Sequence, residues 1–175
     1  MTFSTFFSDR RKRQMKLLDV ISLYANRTLM FCGGIFLVGM VVLTCANIAG
    51  RMFGMPVRGT FELMGFFGAV TAAFALGYTQ IKRGHIAVDV LMNRFSDRAK
   101  QALNFTNSLA GMLFFMVVAW QISQKAGILK NSGEVTETLG IIYYPFTFCV
   151  AMGCGALALV FLTDLIRTIL PEKEA

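Results

Sequence analysis

The sequence predicts an all-α membrane protein with four transmembrane helices and both termini on the cytoplasmic side. Three observations carry that expectation. Of the 175 residues, 55% are apolar and only 15% charged, and the mean hydropathy is +0.60, far from the averages of soluble domains. Charged residues vanish from four windows, Thr28 to Gly50 (23 residues), Leu63 to Ile81 (19), Gln101 to Gln124 (24) and Thr138 to Thr163 (26). Each is about long enough to cross roughly 30 Å of hydrocarbon as a helix. The remaining Lys and Arg are distributed unevenly: six precede the first window, then two, five, two and two fill the successive connections and the tail. With the N-terminus in the cytoplasm, thirteen lie inside and four outside, which fixes the orientation by the positive-inside rule.

Helices suit these windows because a helix satisfies its own backbone in lipid, and none of the runs alternates with the period of a barrel strand. The expected organisation is a basic interfacial segment over 1–27, a transmembrane domain over 28–163 with helices at about 28–50, 61–81, 101–124 and 138–163, and a cytoplasmic tail over 164–175. In the first segment Leu17, Val20, Ile21 and Tyr24 recur at i, i+3, i+4 and i+7, one apolar stripe on a helix. With Lys16, Asp19 and Asn26 off the stripe, this helix is expected to lie in the headgroup plane before the chain turns to cross. The first window is span-length and preceded by many polar residues, so it reads as an uncleaved helix rather than a signal peptide.

Gly65, Ala69, Ala73 and Gly77 recur every four residues along the second helix, a face on which another helix can approach closely. A weaker version in the fourth pairs Ala151 with Gly155 and Cys154 with Ala158. Between the second and third helices, Val88, Leu91, Met92, Phe95 and Ala99 form a second interfacial stripe, with Asp89, Asn93, Asp97 and Lys100 opposite. Gly84 permits a sharp exit from the second helix, and Ser96 and Asp97 suit the start of the third. Pro145, after Tyr143 and Tyr144, lies near the start of the fourth helix at the outer interface, either in its first turn or kinking it slightly.

Chemistry-bearing clusters are sparse. Cys32, Cys45, Cys149 and Cys154 fall within the helices at spacings of neither a redox pair nor a zinc framework, and read as packing residues. The single histidine, His85, has Asp89 one turn on but no further ligands, so neither a metal nor a haem site is expected. No phosphate loop, nucleophile elbow or carboxylate pair points to an enzyme, and no cofactor is expected. The basic balance speaks for membrane lipids, not nucleic acid. Glu62, opening the second helix with Arg58 one turn away, is the one acid that could couple transport to an ion. It reads foremost as an anchor at the positive end of the helix dipole.

One stretch carries a resemblance. "NIAGRMFGMPVRGTFELMGFFGAVTAAFALGYTQIKRGHIAVDVL", Asn47 to Leu91, resembles the small Q (DctQ-type) membrane subunit of tripartite ATP-independent periplasmic, or TRAP, transporters. The matching parts are Arg51, Phe53 and Gly54 leading to Pro56, then Glu62 at the head of a helix rich in small residues, then "GHIAVD" from Gly84 to Asp89. Many members carry a tryptophan before the acid and a second acid beside it; here Gly59, Thr60 and Phe61 precede Glu62 and Leu63 follows. The resemblance implies an accessory scaffold in the inner membrane. Its partners would be a large integral-membrane transport subunit with the substrate and sodium sites, and a periplasmic substrate-binding protein that delivers an organic acid or similar small solute. Arg51, Pro56, Glu62, Gly65, Ala69, Ala73, Gly77, His85 and Asp89 are its candidate structural or subunit-interface residues. The competing reading is a self-sufficient small multidrug-type antiporter working through Glu62.

Overall fold

The computed structural model describes residues 3–82 and 97–169. It comprises four helices, α1 (Phe3–Met52), α2 (Thr60–Ile81), α3 (Asp97–Ser132) and α4 (Tyr144–Ile169). All four are long and apolar enough to cross a membrane, over Val20–Met52, Thr60–Ile81, Ala99–Ser132 and Tyr144–Ile169. His85, Asp89 and the expected interfacial helix around them lie outside the described residues, as do Gly84, Ser96 and the second half of the tail, 170–175.

α1 differs from expectation. No turn separates the segment before Thr28 from the first span; one helix of 50 residues runs through both, about 75 Å at 1.5 Å per residue. Nothing between Phe3 and Cys32 is glycine or proline, so no residue there interrupts helical propagation. The two faces are also reversed from a soluble amphipathic helix. Leu17, Val20, Ile21 and Tyr24 are exposed, whereas Ser22 and Asn26 are buried. In lipid, apolar side chains are at home outside, and small or polar groups turn to the neighbouring helix.

The third and fourth helices also depart from the charge-free windows. α3 continues past Gln124 to Ser132 because Lys125 and Lys130 are good helix formers. Thr138–Tyr143, expected in the fourth helix, instead belong to a pinned loop. Gly133 and Gly140 turn the chain there with φ of +64° and +63°, values that L side chains resist. Val135 and Ile142 form an antiparallel bridge. α4 then starts at Tyr144, with Pro145 in its first turn, where its missing N–H breaks no helical bond.

Across the layer the helices stand in the order α1, α2, α4, α3, with α1 also touching α4. The α1–α2 hairpin is registered by Phe36 edge-on to Phe67, ring centroids 5.2 Å apart. It is also tied by the Thr71 hydroxyl donating to the Gly33 carbonyl at 3.2 Å. Between α2 and α4 the backbones meet at Gly153, where a Cβ would stand 2.6 Å from the Ala73 carbonyl oxygen. Phe66 stacks on Phe146 at 4.4 Å above this contact. α3 rests on α4 through Phe115 stacked against Phe161 at 6.0 Å, with Gly111 under the same Phe161 ring.

Candidate functional site

The site most fully built from sequence-predicted residues is at the end where α2 begins. α1 finishes in a tight turn: the Phe53 and Met55 amides donate to the Gly50 carbonyl at 3.2 and 2.8 Å, and Asn47 Oδ1 accepts from the Val57 amide at 3.2 Å. Arg51 and Pro56 project from this turn, exposed. Met52, Phe53 and Met55 there, and Phe61 at the start of α2, are each at least 74% exposed.

Glu62, in the first turn of α2, reaches across to the α3–α4 loop. Its Oε1 accepts from the Thr138 amide at 2.8 Å and its Oε2 from the Leu139 amide at 3.2 Å. Two successive amides aimed at one carboxylate form the kind of concavity the backbone offers to anions. The loop is shaped for this by Thr136, which is buried. Its amide donates to the Ile141 carbonyl at 2.9 Å, its hydroxyl accepts from the Ile141 amide at 3.1 Å, and its carbonyl accepts from Gly140 at 3.1 Å. The Leu139 side chain then covers Gly59, the residue before α2. Glu62 therefore joins the two hairpins of the molecule, and both its oxygens are engaged by backbone.

The small-residue stripe of α2 splits in two. Ala73 and Gly77 are buried, Ala73 against Gly153 of α4 and Gly77 against Asn26 of α1. Gly65 and Ala69 are exposed, and nothing lies within 4 Å of where a Gly65 Cβ would be. The geometry of a helix explains this: four residues exceed one 3.6-residue turn by about 40°, so a stripe of period four winds by about 120° between Gly65 and Gly77. In α4, Ala151, Cys154 and Ala158 are buried, but Gly155 meets nothing within 4 Å. All four cysteines are free thiols.

A family model described as "Tripartite ATP-independent periplasmic transporters, DctQ component" matches residues 40–170, a range that takes in the Glu62 clasp, the end of α1 and all of α2, α3 and α4. The chain belongs to the DctQ family. It is thus a multi-pass membrane component of a TRAP transporter, a family of transport rather than of enzymes. No curated protein and no solved structure matches the chain.

Within this DctQ chain, sequence reasoning missed three groups. Thr136 and Leu139 sat in what read as span and connection, and only folding places them on Glu62 and Gly59. Asn26 read as the polar side of a surface helix; a polar residue followed by a span-length apolar helix is the signal that it faces inward. Gln80 and Asp164, 84 positions apart, join α2 to α4 by a 3.3 Å hydrogen bond from Gln80 Nε2 to Asp164 Oδ2, and no local pattern encodes such a pair.

Proposed function

We propose that this chain is the accessory scaffold of a sodium-coupled, binding-protein-dependent importer of an organic acid or similar small solute in the bacterial inner membrane. It holds the large transport subunit in place, with both termini in the cytoplasm, and handles no solute itself. The observation that carries the reading is the state of Glu62: the acid best placed to couple transport clamps two loop amides at the membrane edge, as a brace requires. A coupling carboxylate must exchange protons or ions during the cycle, and one held by two backbone donors favours remaining bound. The antiporter reading thus loses the coupling group it was built on.

The large subunit is proposed to seat on the exposed half of the α2 stripe, Gly65 and Ala69, with Arg51 and Pro56 flanking it. The substrate-binding protein would approach from the same outer side. His85 and Asp89 are assigned to the cytoplasmic connection between α2 and α3.

Co-expression with the large subunit, followed by purification on a tag carried by this chain, tests the proposal. A stable one-to-one complex, with no uptake by either chain alone in liposomes, is the expected result. Solute movement by this chain alone along an ion gradient would overturn it.

A further inference from the structure

Contacts between neighbouring helices fix which of their residues stand at one height. The Thr44 hydroxyl of α1 donates to Met64 Sδ of α2 at 3.7 Å, and Asn26 meets Gly77. Phe66 and Gln80 of α2 stand level with Phe146 and Asp164 of α4. α3 is keyed to α4 by Phe115 on Phe161 and by the bridge of Val135 with Ile142. A rise of 1.5 Å per residue from these contacts gives the height of the charges that bound each span.

At the clasp end, Arg51 on α1 stands about 7 Å beyond Glu62, whereas Lys125 on α3 falls about 14 Å short of it. At the opposite end, Arg27 stops about 9 Å short of Lys82 and Lys100 runs about 15 Å past it. Both boundaries therefore shift the same way from α1 to α3, by about 21 Å and about 24 Å, across three interaxial steps of about 9 Å. Two separate boundaries with one slope describe a slab crossed at an angle.

Apolar exposure follows the same slope. Met52, Phe53 and Met55, beyond Glu62 on the α1 side, are exposed. On the α3 side, Lys125 and Lys130 are exposed at heights where α4 is apolar. The charge-free windows of α1 and α3, 23 and 24 residues, measure about 35 Å along the axis. Inclined by about 40° they cover about 27 Å, close to the thickness of hydrocarbon. α2 has a shorter window, but it lies between α1 and α4 and its Glu62 is held by backbone amides, so lipid does not set its length.

We propose that the four-helix layer crosses the bilayer inclined by about 40° within its own plane, at the upper end of what spans adopt. The α1–α2 turn is thereby a lipid-anchoring surface: Met52, Phe53 and Met55 are sunk in the leaflet at the clasp end, with the exposed Arg51 and Arg58 placed to meet its phosphates. The last two turns of α3 and the loop that clasps Glu62 stand clear of the same leaflet, in water. A soluble partner can reach the α3 side of the clasp and is kept from the α1 side. The inclination needs only that the helices span a bilayer and stands apart from the transporter reading.

Tryptophan depth in phosphatidylcholine liposomes tests this on the full chain. Phe53 and Ile128 are 79% and 63% exposed, so a probe at either site leaves the packing alone. In a Trp120→Phe background, Phe53→Trp should be quenched by lipid spin-labelled high on its acyl chains and shielded from aqueous acrylamide. Ile128→Trp should show the reverse, with acrylamide quenching severalfold stronger. An upright layer gives the opposite order, because position 53 then stands in water and position 128 in hydrocarbon, and that order would overturn the proposal. Lipid quenching at both positions would also overturn it and would mark Lys125 and Lys130 as charges kept for an acidic partner helix. Acrylamide quenching at both would overturn the anchoring of the turn. The unaltered chain gives a further reading through its one tryptophan. Trp120, five residues inside Lys125, should be quenched more by the shallow label than by one near the end of the acyl chain; an upright layer puts it near the midplane, and preference for the deep label would overturn the inclination.

Discussion

α2 and α4 form the middle of the layer and α1 and α3 its flanks, yet hydropathy does not distinguish them. The most apolar windows of α1 and α4 average 2.4 and 2.1, those of α2 and α3 1.4 and 1.6. Burial does: 28% and 44% of the α2 and α4 windows are buried inside the protein, against 6% for both α1 and α3. In a bilayer, apolar character says only that a helix can enter. Which helix becomes the centre is decided by where backbones can meet, and here that is Ala73 against Gly153.

The sharpest way to break that distinction is Gly153→Leu. The new side chain would drive into the Ala73 carbonyl, which is backbone and cannot swing aside. A destabilisation of about 3 kcal/mol or more is expected, read as loss of monodisperse protein and a lower thermal midpoint in detergent.

Next in size is the contact of a flanking helix with the centre. Gly77→Ala collides with Asn26, which is itself held by its amide donating to the Ser22 carbonyl at 2.9 Å. In a double-mutant cycle, adding Asn26→Ala should recover about 1 kcal/mol. Additive effects would mean that the two residues do not touch.

Glu62→Gln should leave the helices intact and loosen the join between hairpins. A carboxamide offers one acceptor oxygen where the carboxylate offers two, and turns an NH₂ toward the other amide. Hydrogen exchange at the Thr138 and Leu139 amides should quicken severalfold, with the α2–α4 core unchanged.

The smallest effect on folding belongs to the exposed half-stripe. Gly65→Leu and Ala69→Leu should change stability by no more than about 0.5 kcal/mol while reducing recovery of the large subunit on a tagged chain. Gly155→Leu, two positions from Gly153 and free of neighbours within 4 Å, serves as the matched control for the core.

Four spans were legible because charge exclusion from hydrocarbon is a strong, local signal. Helix ends were less so: Lys125 and Lys130 are charged without ending the helix, while Thr138 to Tyr143 are uncharged without being helical. The candidate residues divide in the same way. Glu62 was found because an acid at a span's edge is conspicuous, but its partners depend on a hairpin more than seventy residues later. Periodicity identified the α2 stripe, and the winding of that stripe around the axis is why only Ala73 and Gly77 became core. For α1, the stripe reads as a helix lying in the headgroup plane with Asn26 on its polar side; the helix instead continues into the span without a turn, and that polar side turns to α2 at Gly77.

The join between hairpins also fixes an order of events during synthesis. Glu62 lies 76 and 77 positions ahead of the amides it binds, so the first hairpin enters the membrane with that carboxylate still hydrated. Only when the chain beyond α3 has emerged and turned can the acid exchange water for Thr138 and Leu139. A nascent chain halted before that loop carries Glu62 without its two amide partners.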